Sequence, residues 1–572
     1  MDKYTLREKI DIKTGLQNYP ELLKSLLMAR GVDTEEKAEV FLNPDYENHL
    51  HDPFLLKDME KAVERILRAI DSGEKILIYS DYDADGIPGG AILHDFFEKI
   101  QYKNFENYIP HRHDEGYGLN TDAIDEFGKS EVKLLITVDC GIVDKKEVSH
   151  ANSFGIDVIV TDHHLPNGSV PEAYAILNPK QADCSYPYDM LCGSGVVFKL
   201  IQAILQKRDF GIKAGQEKWF LDLVGLATLS DMVPLNGENR VFAHYGLKVL
   251  RRSPRLGLMK LLRKLKINQK YILEDDIGFM LAPRINAASR MGIPMDAFKL
   301  LTTTDEVEAD LLSDHLNKIN DERKGVVASI VKDIKKHLKS KNLEDMSSVL
   351  VMGNPDWRPG VLGLAANKLV EEYSRPVFLW GREGGSDLKG SCRSDGTINL
   401  VELMETVKDQ FIAFGGHALS GGFSVLNEKI HTLSDVLSKA YEKIQSTSGE
   451  KAEKEKIWID GKLFLDQVNW DTYKTIEKLA PYGVGNPKPT FLFENIKISG
   501  VKMFGKDKNH LELSFLDKNN NKKTAMGFFM KSDSFGEELK EGDSINLVAT
   551  IEKSMFRNFP ELRLRIVDVI LV

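Results

Sequence analysis

No run of 18 apolar residues occurs in the sequence, which excludes a membrane-spanning helix of ordinary length. The opening stretch, MDKYTLREKIDIK, is charged throughout and lacks the apolar core of a signal peptide, so cytoplasmic residence is expected. Cysteine is scarce. The four residues Cys140, Cys184, Cys192 and Cys392 are scattered and none forms a C-x-x-C pair. Neither a zinc site nor a disulfide framework is indicated, and free thiols in a reducing compartment are expected. No fixed-period repeat is present, which argues against a solenoid. Positive net charge is also lacking, because the chain carries −10. Bulk charge therefore gives no support to nucleic-acid binding, which would need a local basic surface. Residues 451–572 carry 20 Lys and Arg against 18 Asp and Glu, a net of +2 that leaves −12 elsewhere. That mild contrast permits a polyanion partner for the C-terminal part.

A chain of 572 residues is too long for one ordinary core, and two to four domains are expected. Hydrophobic content of 42% and charged content of 28% describe a globular protein. The run EKILIYS (74–80) reads as a short buried strand, and GGAILHDFFEKI after it as a helix. VKLLITVDCGI, GIDVIVTDHH and AYAILNP give further apolar runs. Short apolar runs alternating with helical patterns predict parallel βαβ units. Three of these strands end on acidic or histidine residues, at the sheet edge where open α/β folds bind ligands.

Two helical stretches follow, and the second, WFLDLVGLATLSDMVPL, presents Asp231 near its end. Residues 305–343 are highly charged with helical periodicity and predict long connecting helices. A second α/β domain is expected from SSVLVMGNPDW to about residue 445, then the polar linker QSTSGEKAEKEK. After 456, short partly alternating segments such as NHLELSFLD and DSINLVATIEK predict a small β-barrel of OB type. The expected organisation is thus an N-terminal segment on the catalytic domain (1–70), a parallel-sheet catalytic domain (71–300), connecting helices (301–345), a second α/β domain (346–448) and an OB-like domain (455–572).

The stretch YSDYDADGIPGG packs Asp81, Asp83 and Asp85 into five positions. These carboxylates repel one another, and one reading of the cluster is a metal site. Hard divalent cations want carboxylate oxygens, and imidazole suits Mn²⁺. Asp83, Asp85, Asp139, His163 and Asp231 would form such an oxygen-rich, mixed set. A solvated turn with capping aspartates explains the first cluster alone equally well. The addition of TVDCGI and TDHH at neighbouring strand ends favours a metal or catalytic site. Of the two histidines, one can ligate metal while the other, His164, meets a phosphate or transfers a proton. FGGHALSGGFS around His417 and KGSCRSDGTINL with Ser391 and Arg393 read as backbone cradles for an anion, and equally as tight turns. APRINAASRMG offers Arg284, Asn286 and Arg290 on a loop, and IPHRHDEGYGL offers Arg112.

DYDADG, TVDCGI, TDHH, LSDMVPL, APRINAASRMG, GSCRS and FGGHALSGG stand in one order over some 340 residues, and APYGVGNPKPTF precedes the C-terminal segment. The series resembles the DHH phosphoesterases, and within them the bacterial single-strand-specific exonucleases. The resemblance implies metal ligation by Asp83, Asp85, Asp139, His163 and Asp231, with Asp139 best placed to bridge two Mn²⁺ or Mg²⁺ ions. His164 would lie beside the scissile phosphate, and Asp81 would be a lesser ligand or catalytic group. Arg112, Arg284, Ser391 and Arg393 would hold the DNA backbone or 5′-phosphate, and His417 matches the family's glycine-rich motif. The implied activity is 5′-to-3′ hydrolysis of single-stranded DNA to 5′-mononucleotides in repair and recombination. A single-strand-binding protein and a repair helicase are implied as partners, and a monomer as the state. Cyclic dinucleotides or short oligonucleotides as substrates, or binding without catalysis, are the alternatives. Phe504, Phe528 and Phe529 are candidate stacking platforms, with barrel-core packing as the competing role. Three positions depart from the pattern. Arg358 stands where histidine is common and would affect substrate positioning; Ser289 replaces a glycine and would affect loop geometry; Pro88 replaces a small hydroxyl residue.

Overall fold

The structure is a computed structural model that describes residues 4–7, 15–338, 346–382, 387–448, 457–505, 507–554 and 560–572. Packing divides the chain into two compact units, one of 52–231 with 246–454, the other of 1–51, 232–245 and 455–572. No helix among the described residues is long and apolar enough to cross a membrane.

The first unit is built on a five-stranded parallel sheet. Its strands are β1 (Ile76–Ser80), β2 (Phe105–Tyr108), β3 (Leu134–Val138), β4 (Asp157–Thr161) and β5 (Ala175–Leu177), in the order β2-β1-β3-β4-β5. β1 and β3 are buried at every position, which is why they read as continuous apolar runs. One face, with Leu77, Tyr79, Leu135, Val158 and Val160, packs against Ile124, Phe127, Val148 and Ala151 of two helices. Helix Gly86–Lys99 packs on β1 and against helix Gly193–Lys207. β2 is the one strand of this sheet that the apolar runs do not announce. Its sequence, FENY, lies at the sheet edge and is only half buried, so it needs no apolar run.

The charged stretch after 305 forms a single helix, Glu306–Leu338, and residues 339–343 of the expected span lie outside the described residues. Its second half places Val327, Ile330, Val331, Ile334 and Leu338 in a core with Val361, Leu362, Leu369, Val377 and Leu379. That core belongs to a second sheet, formed by β6 (Leu350–Gly353), β7 (Val377–Gly381), β8 (Leu388–Arg393), β9 (Ala413–His417) and β10 (Ser420–Val425). The glycine-rich motif around His417 is the β9–β10 hairpin, and GSCR is the β8 strand beside it. Neither is a loop.

The second unit is a closed barrel of β11 (Phe491–Phe504), β12 (His510–Leu516), β13 (Lys522–Phe528), β14 (Ser544–Ser554) and β15 (Glu561–Leu571). Pairing of β11 with β14 closes it, which removes the open edges. The N-terminal part of the chain differs from expectation. Leu16, Leu23, Leu26, Leu27 and Val32 share the barrel's core with Phe491, Phe515 and Leu564, whereas helix Met59–Ser72 packs on β5 and helix Gly193–Lys207. Apolar side chains of an 8-residue helix, Glu21–Met28, need a partner face, and a sequence pattern does not say which one is nearest.

Candidate metal centre

Strand register builds the site. Ser80, Val138, Thr161 and Leu177 are paired partners in adjacent strands. The ladder continues one residue further at each step. The Asp81 amide donates to the Val138 carbonyl at 3.0 Å, Asp139 to Thr161 at 2.9 Å, and Asp162 to Leu177 at 3.1 Å. Asp81, Asp139 and Asp162 therefore stand side by side at the carboxyl edge. β1 and β3 flank the point where the strand order reverses, the usual ligand crevice of such sheets.

The side chains converge. His163 Nε2 lies 3.2 Å from Asp139 Oδ1, 3.6 Å from Asp231 Oδ2 and 3.8 Å from Asp85 Oδ2. Ligand-type atoms fall into three groups, each within 4.8 Å: Asp81, Asp83 and Asp139; Asp139, His163 and His164; Asp85, His163 and Asp231. Asp139 and His163 each belong to two groups. Asp139 adopts a left-handed backbone, φ 63°, a conformation aspartate tolerates better than most residues. Opposite it, a Cβ on Gly193 would lie 2.7 Å from Asp139 Cβ, so only glycine admits this approach.

Several acids are held by the helices around them. Asp83 Oδ1 accepts from the amides of Asp85 and Gly86 at the start of helix Gly86–Lys99. Both oxygens of Asp85 accept from the amides of Gly193 and Ser194, at 2.6 and 2.8 Å. Asp162 holds the histidine pair. Its Oδ1 accepts from the His163 and His164 amides and from His164 Nδ1 at 2.8 Å. Tyr117 donates its hydroxyl to the Asp139 carbonyl.

The electrostatics fit a cation. Asp81 Oδ1, Asp139 Oδ1 and His163 Nε2 are buried with no hydrogen-bond partner. Burial at that level without a partner is costly. Burial, then the charges of Asp85 and Asp83, push Asp231 up to about 9, and burial with Asp83 pushes Asp85 up to about 6. Asp139 is driven well above the carboxylate range by burial and by Asp85, Asp83, Asp81 and Asp231. Burial and the neighbouring His164 hold His163 down at about 3. Burial also opposes charge on His164, but the hydrogen bond and charge of Asp162 outweigh it and raise His164 to about 9. Asp85, Asp139 and Asp231 thus disfavour their own negative charge until a positive charge arrives, and His163 is held neutral, the form that ligates a metal. The residues present fit a hard or borderline divalent cation.

A cationic group faces this centre within the same unit. Burial lowers Arg290, and the charges of Arg112, Arg323 and Arg393 lower it further, while Asp83 opposes them. Four guanidinium groups thus share one locality. Arg290 Nη1 donates to the Gly360 carbonyl, and Arg112 stacks over the Tyr82 ring at 4.7 Å. Ser391 and Arg393 alternate along β8 and point to one face, with Arg393 Nη1 donating to Ser391 Oγ at 3.0 Å. His417 is exposed on β9, paired with Ser420, which pairs in turn with Arg393.

Arg284 stands apart. It is 4% exposed and spends its guanidinium on the Met280 carbonyl and Asn317 Oδ1. APRINAASRM is a helix, Ala282–Met291, rather than a loop, and Asn286 Oδ1 accepts from the Ala84 amide. Ser289 is buried within that helix and donates to the Asn286 carbonyl, so it disturbs no loop. Pro88 sits in the first turn of its helix, where no backbone N–H is needed. Arg358 is the exposed N-cap of helix Pro359–Tyr373. Gly193, Ser194 and Arg323 are residues of this locality that sequence reasoning did not single out, and Asp162 reads from the sequence only as an acid at a strand end, without a role. The signal for Asp162 was present in TDHH; the others act through distant contacts.

Residues 75–228 match the DHH family, N-terminal domain; 346–444 match the DHHA1 domain; 459–568 match the RecJ OB domain. The chain is 33% identical over 563 residues to the single-stranded-DNA-specific exonuclease RecJ of Bacillus subtilis (strain 168), covering 98% of this chain and 69% of that protein. It is 31% identical over 525 residues to the RecJ of Haemophilus influenzae, covering 90% of each. The crystal structure of RecJ in complex with Mn²⁺ from Thermus thermophilus superimposes with a TM-score of 0.78 at 25% identity, over 98% of this chain and 76% of that one. The chain belongs to the RecJ family.

Proposed function

We propose that this chain is a metal-dependent exonuclease that hydrolyses single-stranded DNA from the 5′ end to 5′-mononucleotides. The observation that carries the reading is the set of buried, unpartnered oxygen and nitrogen atoms on Asp81, Asp139 and His163 at one strand edge. Asp83, Asp85, Asp139, His163 and Asp231 would hold two Mn²⁺ or Mg²⁺ ions, with Asp81 contributing to the same pocket. When bound, such ions supply the Lewis acidity that activates water and offsets charge on the phosphate.

The chain's own groups do the rest. Asp162 fixes His164 through Nδ1, which directs Nε2 to a phosphate oxygen or the departing 3′ oxygen. Arg112, Arg290 and Arg323 hold the backbone, and Ser391 with Arg393 hold the 5′-phosphate by charge-assisted hydrogen bonds. Arg284 supports the helix that carries Arg290. His417 borders the Ser391 and Arg393 strand. The catalytic, DHH-associated and OB-like regions would span 71–300, 346–448 and 455–572. On the barrel, Arg565 covers the Phe528 ring at 4.0 Å and Phe529 is 82% exposed, a pairing suited to bases and backbone of a single strand. Family membership supports a cytoplasmic monomer working with a single-strand-binding protein and a repair helicase.

The test is digestion of long single-stranded DNA with and without a 5′-phosphate, in Mn²⁺ or Mg²⁺, beside blunt duplex and a dinucleotide. Mononucleotide release from the long strand, lost in Asp83→Ala, is expected. Turnover of the dinucleotide alone would assign a small-substrate phosphodiesterase instead.

A further inference from the structure

A second cationic site lies outside the acid cluster. Between Glu238 and Glu274 the chain carries ten Lys and Arg and no Asp or Glu, in a protein whose net charge is −10. Some of these cations are structural. Arg255 is paired with Asp95 and Asp222, Lys260 with Glu306, and Lys264 with Asp310 and Asp314. A different set, Lys248, Arg251, Arg252 and Lys270, lines one surface depression of about 410 Å³. No carboxylate forms an ion pair with Arg251, Arg252 or Lys270 among the described residues.

Helix capping does not account for them. Helix Gly237–Leu250 ends here, and basic side chains are favoured at such an end. The last carbonyl of the helix is already met by another residue, because Gln269 Nε2 donates to the Leu250 carbonyl and to that of Ser253 in the following turn. Arg251 instead turns to the Ile272 carbonyl through Nε and Nη2, which fixes the plane of its guanidinium. Arg252 and Lys270 are exposed. Arg251, Arg252 and Lys270, like charges with no ion-pair partner among the described residues, repel one another, and an anion removes that cost. Fixed guanidinium forks suit phosphate oxygens.

We infer that Lys248, Arg251, Arg252 and Lys270 form an accessory site for the backbone phosphates of nucleic acid, engaging a stretch of strand other than the one in the acid cluster. This rests on the nuclease reading above. The choice of a nucleic acid over an acidic peptide follows from that substrate class and from the four-cation lining.

The test uses full-length Arg252→Glu/Lys270→Glu, which spares the Arg251 contact to Ile272. Binding to phosphorothioate single strands of about 8 and about 40 nucleotides is followed by anisotropy in EDTA across a salt series. The double variant is expected to bind the long strand about tenfold more weakly and to flatten its log–log salt slope by roughly 1.4, about 0.7 for each phosphate no longer engaged. Binding of the short strand stays unchanged. Unchanged long-strand binding overturns the proposal, as does equal weakening at both lengths. Loss of binding to a glutamate- and aspartate-rich peptide, with DNA binding intact, also overturns it and assigns the site to a protein partner. Wild-type digestion in Mn²⁺, run beside these titrations, reports separately on the nuclease reading.

Discussion

Replacing Asp139 by asparagine should make the metal-free protein more stable while removing its response to metal. Asp81, Asp83 and Asp139 keep carboxylate oxygens within 4.8 Å of one another. At that separation, two charges in a protein-like effective dielectric of about 20 repel by about 3.5 kcal/mol. Asp139 also faces Asp85 and Asp231, and its carboxyl is held well above the ordinary range. A folded pKa above the unfolded one means that the folded chain binds the extra proton, so stability falls as pH rises from about 4. For Asp85 the fall runs up through its folded value near pH 6 and levels off above it. Asparagine keeps the shape and accepts the left-handed backbone at φ 63°, so it adds no strain. The expected gain for Asp139→Asn in EDTA at pH 8 is about 3 kcal/mol, read as a rise in melting temperature of roughly 3–4 °C for a unit of this size. Wild type should gain about 2.7 kcal/mol from Mn²⁺ at a hundredfold excess over Kd, and the variant little. Differential scanning fluorimetry at pH 5 and pH 8, with EDTA or Mn²⁺, measures both effects. A variant that melts below wild type in EDTA at pH 8, or that responds equally to Mn²⁺, would refute the reasoning.

Asp162→Asn should lower kcat about 10- to 100-fold with circular dichroism unchanged, because Asp162 orients both histidines without facing the substrate. Gly363→Ala should weaken discrimination for a 5′-phosphate as Arg393→Ala does, since its Cβ would lie 2.6 Å from Arg393 Nη2 and 2.9 Å from Ser391 Oγ; KM for phosphorylated and unphosphorylated strands checks this. Arg284→Lys should instead lower the melting temperature and leave that discrimination intact, because its bonds go to Met280 and Asn317. Burial raises Asp144 to about 6 against the opposing hydrogen bond from the Leu119 amide. Its contribution to stability should therefore fall as pH rises from about 4 to 6, by up to about 3 kcal/mol, and Asp144→Asn should flatten that fall in urea titrations at pH 4.5 and 7.5.

The acid cluster was legible in sequence because parallel strands buried on both faces are continuous apolar runs, and their ends mark the ligand edge. Asp81, Asp139 and Asp162 follow their strands directly. Arg284 and Arg290 show the limit. Both stand in one motif, but they lie six residues apart, about 600° around a helix, and so face different surroundings. Read as a loop, the motif could not say which arginine joins Arg112, Arg323 and Arg393. Strand β2 was missed because an edge strand carries no full apolar pattern.

Local order of residues thus determined the strand ends, the metal-type side chains on them and the change to a barrel after residue 456. These follow from short-range periodicity, which a sequence carries in itself. Tertiary structure decided which atoms meet. It set His163 against three aspartates from three other segments, gave both oxygens of Asp85 to the amides of a helix 108 residues away, and placed the leucines of the N-terminal helix in the barrel core. Such contacts depend on register and close packing between distant segments, and no window of sequence contains both partners.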